Sequence, residues 1–139
     1  MAEQTHFLWE GERLRPHGYV AAMAKPYSDA LVAHGPLLFL SGQLPLSPDG
    51  EVAGDVTGQT RQIFANMERL LTGQGADLGD LVKLTYYLRH VTDLDEFRSA
   101  LAECLPKGHR PTETLVEVSG LIDPRHLVQI EGIASVRER

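Results

Sequence analysis

The chain is poor in cross-linking residues and in positive charge. Its one cysteine, Cys104, excludes an internal disulfide, and no Cys/His pattern at zinc spacing accompanies it. Lys and Arg number 13 against 19 Asp and Glu, a net charge of −6 with pI near 5.4. The basic footprint that phosphate-backbone binding needs is therefore missing. No apolar run approaches the ~20 residues of a membrane span, and the start, Met1-Ala2-Glu3-Gln4-Thr5-His6, has no basic n-region. No nucleic-acid, membrane or metal partner is expected, and a reducing cytoplasm is the default location. Repeats, low-complexity tracts and linkers are also lacking, so the 139 residues read as one domain, 1–139, with 1–26 as an N-terminal arm.

Alternation and helical periodicity supply the rest. Residues 5–9 suggest a short strand with a turn at Gly11, and Arg15-Pro16-His17-Gly18 a loop before the small-residue run 19–24. Residues 29–33 and 37–40 flank His34-Gly35-Pro36 and read as a hairpin. Ser41-Gly42-Gln43 follows; a Gly within a strand pattern suggests a bulge or a closely approached backbone. Asp55 is the predicted N-cap of a first helix, whose stripe is Ile63, Phe64, Met67, Leu70 and Leu71, and Gly73 and Gly75 stop it. Residues 80–89 alternate, with Val82, Leu84, Tyr86 and Leu88 on one face and Lys83, Thr85 and Tyr87 on the other. A second helix starts near Thr92 or Asp93, buries Leu94, Phe97, Leu101, Cys104 and Leu105, and ends at Pro106 and Gly108.

Two strands close the chain. In the run from Arg110 to Val118, Glu113, Leu115 and Glu117 alternate with Thr112, Thr114, Val116 and Val118. In the other, Val128, Ile130, Gly132, Ala134 and Val136 form an apolar stripe opposite Gln129, Glu131 and Ser135. Both strands thus put carboxylates on what reads as a non-core face. Two helices suffice to cover one face of a mixed sheet, giving a two-layer α+β domain. The other face would carry Thr85, Tyr87, Glu113, Leu115 and Glu131, which suits a subunit interface better than bare solvent.

Several stretches resemble the Rid (reactive-intermediate deaminase, or YjgF) superfamily: Pro26-Tyr27-Ser28, residues 39–45, Gly58-Gln59-Thr60, residues 81–85, Arg110-Pro111 and residues 130–134. The resemblance runs over about residues 27–136. It implies a chorismate-mutase-like fold, a homotrimer with clefts between subunits, and hydrolysis of 2-imino or 2-enamino acids without metal or organic cofactor. Carried over by position, the cleft tyrosine falls on Tyr27, the Ser-Gly wall on Ser41 and Gly42, and the water-positioning glutamate on Glu131. The family's carboxylate-gripping arginine is replaced by Glu113. Leu115 stands where cysteine is common, and Leu101 where archetypal members carry asparagine.

Reversing that charge should disable capture of a carboxylate. Like charges ~4 Å apart repel by about 1 kcal/mol in water and about 4 at an effective dielectric of 20. Three roles for Glu113 are then open. Glu113 and Glu131 form an acid–base pair acting on a reactive imine, enamine or enol by hydrolysis, dehydration or tautomerisation. Alternatively the two hold a cationic ligand without chemistry, in a binding protein on the same trimeric scaffold. The third role is structural, with Glu113 paired to a basic residue such as Arg110, Arg125 or Lys83, from its own or a neighbouring subunit. The histidines show no ligand spacing, Ser41 lacks a His/Asp partner for a nucleophilic triad, and Tyr86 and Tyr87 read as ordinary packing.

Overall fold

A computed structural model describes residues 4–10, 13–16 and 26–136, the first two segments as strands only. The strands are β1 (Gln4–Glu10), β2 (Arg13–Pro16), β3 (Ala30–Ala33), β4 (Leu37–Gln43), β5 (Leu81–Leu88), β6 (Thr112–Glu117) and β7 (Val128–Ser135). The helices are α1 (Val56–Gly73) and α2 (Leu94–Cys104), with 3₁₀ turns ahead of β5 and α2. Four strands form one sheet in the order β4-β7-β5-β6, and β2-β1-β3 form a smaller antiparallel one. In the larger sheet β7 runs antiparallel to β4 and β5, while β6 is parallel to β5. A parallel neighbour needs a long crossover, and α2 supplies it. The α+β architecture is the one expected.

The expected elements form for the expected reasons. Asp55 caps α1 by accepting from the Gly58 amide at 2.8 Å, a contact of a kind worth ~1 kcal/mol. Ile63, Phe64, Met67 and Leu71 are fully buried, each contributing about 1.5–3 kcal/mol by leaving water, while Leu70 falls outside the stripe and is half exposed. α1 ends at Gly73, and Gly75 takes the left-handed conformation at φ 73°. β5 buries Leu84, Tyr86 and Leu88 toward the helices, where they meet Phe97 and Leu101 of α2. β7 lays Val128, Ile130 and Ala134 on the same core. A side chain at Gly132 would press on Leu84, Met67 and Leu81, so α1 crosses β7 in close contact there.

The Gly58-Gln59-Thr60 stretch has a structural explanation. Gln59 is completely buried, donates to the carbonyls of Ala53 and Arg125 at 2.8 and 2.9 Å, and accepts from the Leu127 amide at 2.7 Å. It thereby fastens the loop before β7 to the start of α1.

Three expectations are corrected. Residues 29–33 and 37–40 do not form a hairpin: β3 pairs with β1 and β4 with β7, so the turn at 34–36 passes the chain from one sheet to the other. The first loop is partly strand, since Arg15 and Pro16 pair with Leu8 and Phe7; Gly11, His17, Gly18 and the run 19–24 lie outside the described residues. The third correction matters most. β6 pairs with β5 as Leu84 with Glu113 and Tyr86 with Leu115, so Glu113 and Leu115 face the helices and not the open side. Thr114 and Val116 lie on the open side instead, paired with Thr85 and Tyr87.

Candidate functional site

Because β6 is the edge strand, α2 roofs it incompletely, and a cavity of about 460 Å³ opens between α2, the 105–110 turn and the sheet. Phe97, Leu101, Leu105 and Leu115 make its apolar walls, with Tyr27, Tyr86 and Glu113 also lining it. Tyr27 is held there by its neighbour. Ser28 is buried and donates its amide to the Pro111 carbonyl at 3.0 Å and its hydroxyl to the Arg110 carbonyl at 2.5 Å. Those bonds fix the segment before β3 against the start of β6.

Glu113 is the one carboxylate among the lining residues. Burial pushes its carboxyl up to about 7, opposed by the Tyr86 hydroxyl and by the positive charge of Arg98. Tyr86 is 1% exposed and stacks edge-on against Phe97 at 4.9 Å. Its hydroxyl lies close enough to Glu113 for each to bias the other, yet Tyr86 Oη and Glu113 Oε1 are both buried without a hydrogen-bond partner among the described residues. Burial, then the nearby carboxylate, hold the phenol well above its ordinary value, so it stays a donor. Two adjacent orphaned polar atoms in an apolar wall are costly unless something binds them.

Within one protomer no basic side chain among the described residues pairs with Glu113. Among the described residues Glu113 makes no salt bridge; Arg125 is engaged by Asp123 at 2.8 Å, and Lys83 lies on the other side of the sheet. Arg110 lines the cavity but reaches the Gly108 carbonyl at 3.4 Å.

Glu131 occupies the opposite face. It pairs across β5 with Thr85, and the diagonal neighbour Tyr87 donates its hydroxyl to Glu131 Oε1. That bond raises the phenol of the half-buried Tyr87. Glu131 lines a depression of about 320 Å³ with Phe39, Ser41, Lys83, Thr85 and Ile133. Gly42 follows Ser41 at a bulge where the pairing of β4 with β7 shifts between Leu40 and Gln43. A Cβ at Gly42 would meet the end of the Gln129 side chain, which would have to swing aside to admit it.

Within one protomer the sequence-derived residues therefore do not come together. Tyr27, Leu101, Glu113 and Leu115 share the helix-side cavity, Ser41 and Glu131 share the open-face depression, and Gly42 lines a third hollow beside Asn66 and Arg69 of α1. Tyr86, Arg98 and Tyr87 were missed as site residues. The signal for Tyr86 was the register that places it one strand from Glu113, which alternation within either strand does not reveal. No cluster of three potential metal ligands occurs among the described residues, and no described helix is long and apolar enough to cross a membrane.

A four-stranded mixed sheet covered on one face by two helices defines a two-layer α+β protein of known type. The chain matches the family model described as Endoribonuclease L-PSP over residues 19–136, eight residues further toward the N-terminus than the resemblance starting at 27. A RutC family protein of Pyrococcus horikoshii is 39% identical over 112 residues, covering 78% of this chain and 86% of that one. YyfA of Yersinia pestis, described as of the Rid protein family, superposes with a TM-score of 0.69 at 34% identity, covering 80% of this chain and 88% of its own. YyfB of the same organism and family superposes at 0.79 over 96% and 98% of the two chains; at 22% identity that likeness concerns the fold alone. The chain belongs to the Rid, or YjgF, superfamily.

Proposed function

We propose that this protein is an atypical Rid-family enzyme. It acts without a cofactor on a reactive imine, enamine or enol, by hydrolysis, dehydration or tautomerisation, at a cleft between two subunits of a homotrimer. Glu113 and Glu131 are its acid–base pair. The observation that carries this is the Glu113 carboxyl, raised to about 7 in an apolar cavity with an orphaned oxygen. An acid that titrates near neutrality is suited to giving and retaking a proton.

The two carboxylates lie on opposite faces of one sheet, so a single protomer cannot use them together. Apposing the open face of one subunit to the cavity mouth of the next would bring Glu131, Ser41 and Gly42 to Tyr27 and Glu113. The exposed Phe39, at 69%, and Val116 on the open face fit a surface that is covered on assembly. In an imine hydrolysis, Glu131 takes a proton from water as its oxygen bonds to the imine carbon. Glu113 gives its proton to the nitrogen. The carbinolamine then collapses to a carbonyl and an amine. Glu113 also replaces the group that would grip a carboxylate, so the archetypal 2-imino acid deaminase activity is lost.

Mixed assembly tests both the pairing and the chemistry. Glu113→Gln and Glu131→Gln proteins, each inactive alone, are co-refolded in equal amounts. Clefts that draw one residue from each of two neighbours regain about a quarter of wild-type turnover, because random mixing restores one cleft in four. No recovery overturns the intersubunit pair. Hydrolysis of 2-aminoacrylate or iminoleucine generated in situ, as fast as by an arginine-bearing relative, overturns the loss of the archetypal activity.

A further inference from the structure

The cavity around Glu113 is polarised along its depth. Its inner wall holds Glu113 Oε1 and Tyr86 Oη, both buried and unpartnered among the described residues. Both oxygens accept hydrogen bonds when Glu113 is ionised, and the phenol can donate one as well. Around the opening stand Arg98 on α2 and Lys107 in the following turn, both exposed and both lining the cavity. Neither is committed to a salt bridge among the described residues. Between the two ends the walls are Phe97, Leu101, Leu105 and Leu115. An apolar shaft with acceptors at its base and cations at its rim is complementary to a molecule of the opposite polarity.

We infer that the cavity takes a dipolar small molecule, its nitrogen end at Glu113 and Tyr86, its carboxylate at Arg98 and Lys107, and an aliphatic stretch between. This rests on the proposed function for the place of the reaction, and it specifies the substrate class: an imine or enamine whose anionic group lies away from the reacting nitrogen. A carboxylate beside that nitrogen would meet Glu113. The nitrogen and the Glu113 carboxyl together hold one proton, so a neutral imine meeting the acid and an ammonium meeting the carboxylate are the same charge state. Stable amines therefore report on the substrate's pose.

The experiment is titration calorimetry at pH 8 on the full-length protein with 4-aminobutanoate, 6-aminohexanoate, hexylamine and hexanoate. At least one of the two amino acids is expected to bind about tenfold or more tightly than either single-headed compound, since each end adds a charge-assisted contact. Glu113→Gln should reduce the affinity of that amino acid to that of hexanoate. Arg98→Ala combined with Lys107→Ala should reduce it to that of hexylamine, with both variants checked to be folded by a cooperative melting transition. If the amino acids bind no better than hexanoate, or if nothing binds, the dipolar assignment is overturned. So it is if Glu113→Gln, or the folded Arg98/Lys107 variant, binds like wild type. The outcomes separate from those of the proposed function. Selective binding with no turnover of any imine sinks the acid–base pair alone, and turnover without this selectivity sinks the dipolar assignment alone.

Discussion

Glu113 and Glu131 are the same side chain on two strands of one sheet, and the protein treats them differently. Glu131 is half-buried among polar groups, with Lys83, Thr85 and Ser41 around it and a hydrogen bond from Tyr87. Glu113 projects into an apolar chamber, and its Oε1 has no partner among the described residues. Desolvation, only partly offset by Tyr86 and Arg98, lifts its proton affinity to about 7. The sheet is thus a partition with a solvated carboxylate on one side and a desolvated one on the other. Position in the layers, more than residue type, sets the two carboxyl groups apart.

The largest effect that would break this contrast is on catalysis. Glu113→Gln and Glu131→Gln should each lower turnover of the cognate imine or enol by about 10²–10⁴-fold, the usual worth of a positioned acid or base. An unchanged rate in either removes that residue from the mechanism. Stability comes next. Phe97→Ala takes out the ring that roofs Tyr86 and should cost about 3–5 kcal/mol in urea unfolding, whereas Tyr87→Phe on the solvated side should cost well under 1. Equal costs would mean that the two faces are not differently packed.

The pH response is subtler. The folded carboxyl of Glu113 is raised from 4.5 to about 7, so between those values the native state holds a proton that the unfolded chain has released. This group's contribution is therefore most favourable below 4.5, declines as pH rises to about 7, and is flat above. Glu113→Gln removes the decline. Its unfolding free energy relative to wild type should climb between pH 5 and pH 8, by on the order of 1 kcal/mol given the group's partial solvent contact. A constant difference would show that the carboxyl is not desolvated. The smallest shift belongs to Tyr86→Phe. Removing a hydroxyl that holds the Glu113 proton affinity down should move the alkaline limb of kcat/KM upward, and a downward move would contradict the arrangement.

Most of the scaffold was legible because local periodicity decides it. The Ile63, Phe64, Met67 and Leu71 stripe of α1 and the alternation of β5 each identify their own buried face. β6 carries no such signal. Threonine and glutamate alternate along Thr112, Glu113 and Thr114, leaving its faces to be chosen by register against β5, a contact distant in sequence. For the same reason, polarity placed Glu113 on the open side and the pairing places it under the helices. The turn at 34–36 misled similarly: two strands flanking a turn look like a hairpin, and which strands they join is a tertiary fact. The residue types of the site were readable from the family resemblance. Its division between two faces was not.

The parallel join between β5 and β6 gives this scaffold an evolutionary lever. With the strand held at the sheet's edge, gaining or losing one residue in the crossover that ends near Pro111 would slide β6 by one step. Every side chain would then change sides. Glu113 would move from the apolar cavity to the face it now opposes, and a threonine would take its place beneath α2. A small indel could thus strip the cavity of its carboxylate with no residue of β6 replaced, so descendants of this fold can diverge by length as readily as by substitution.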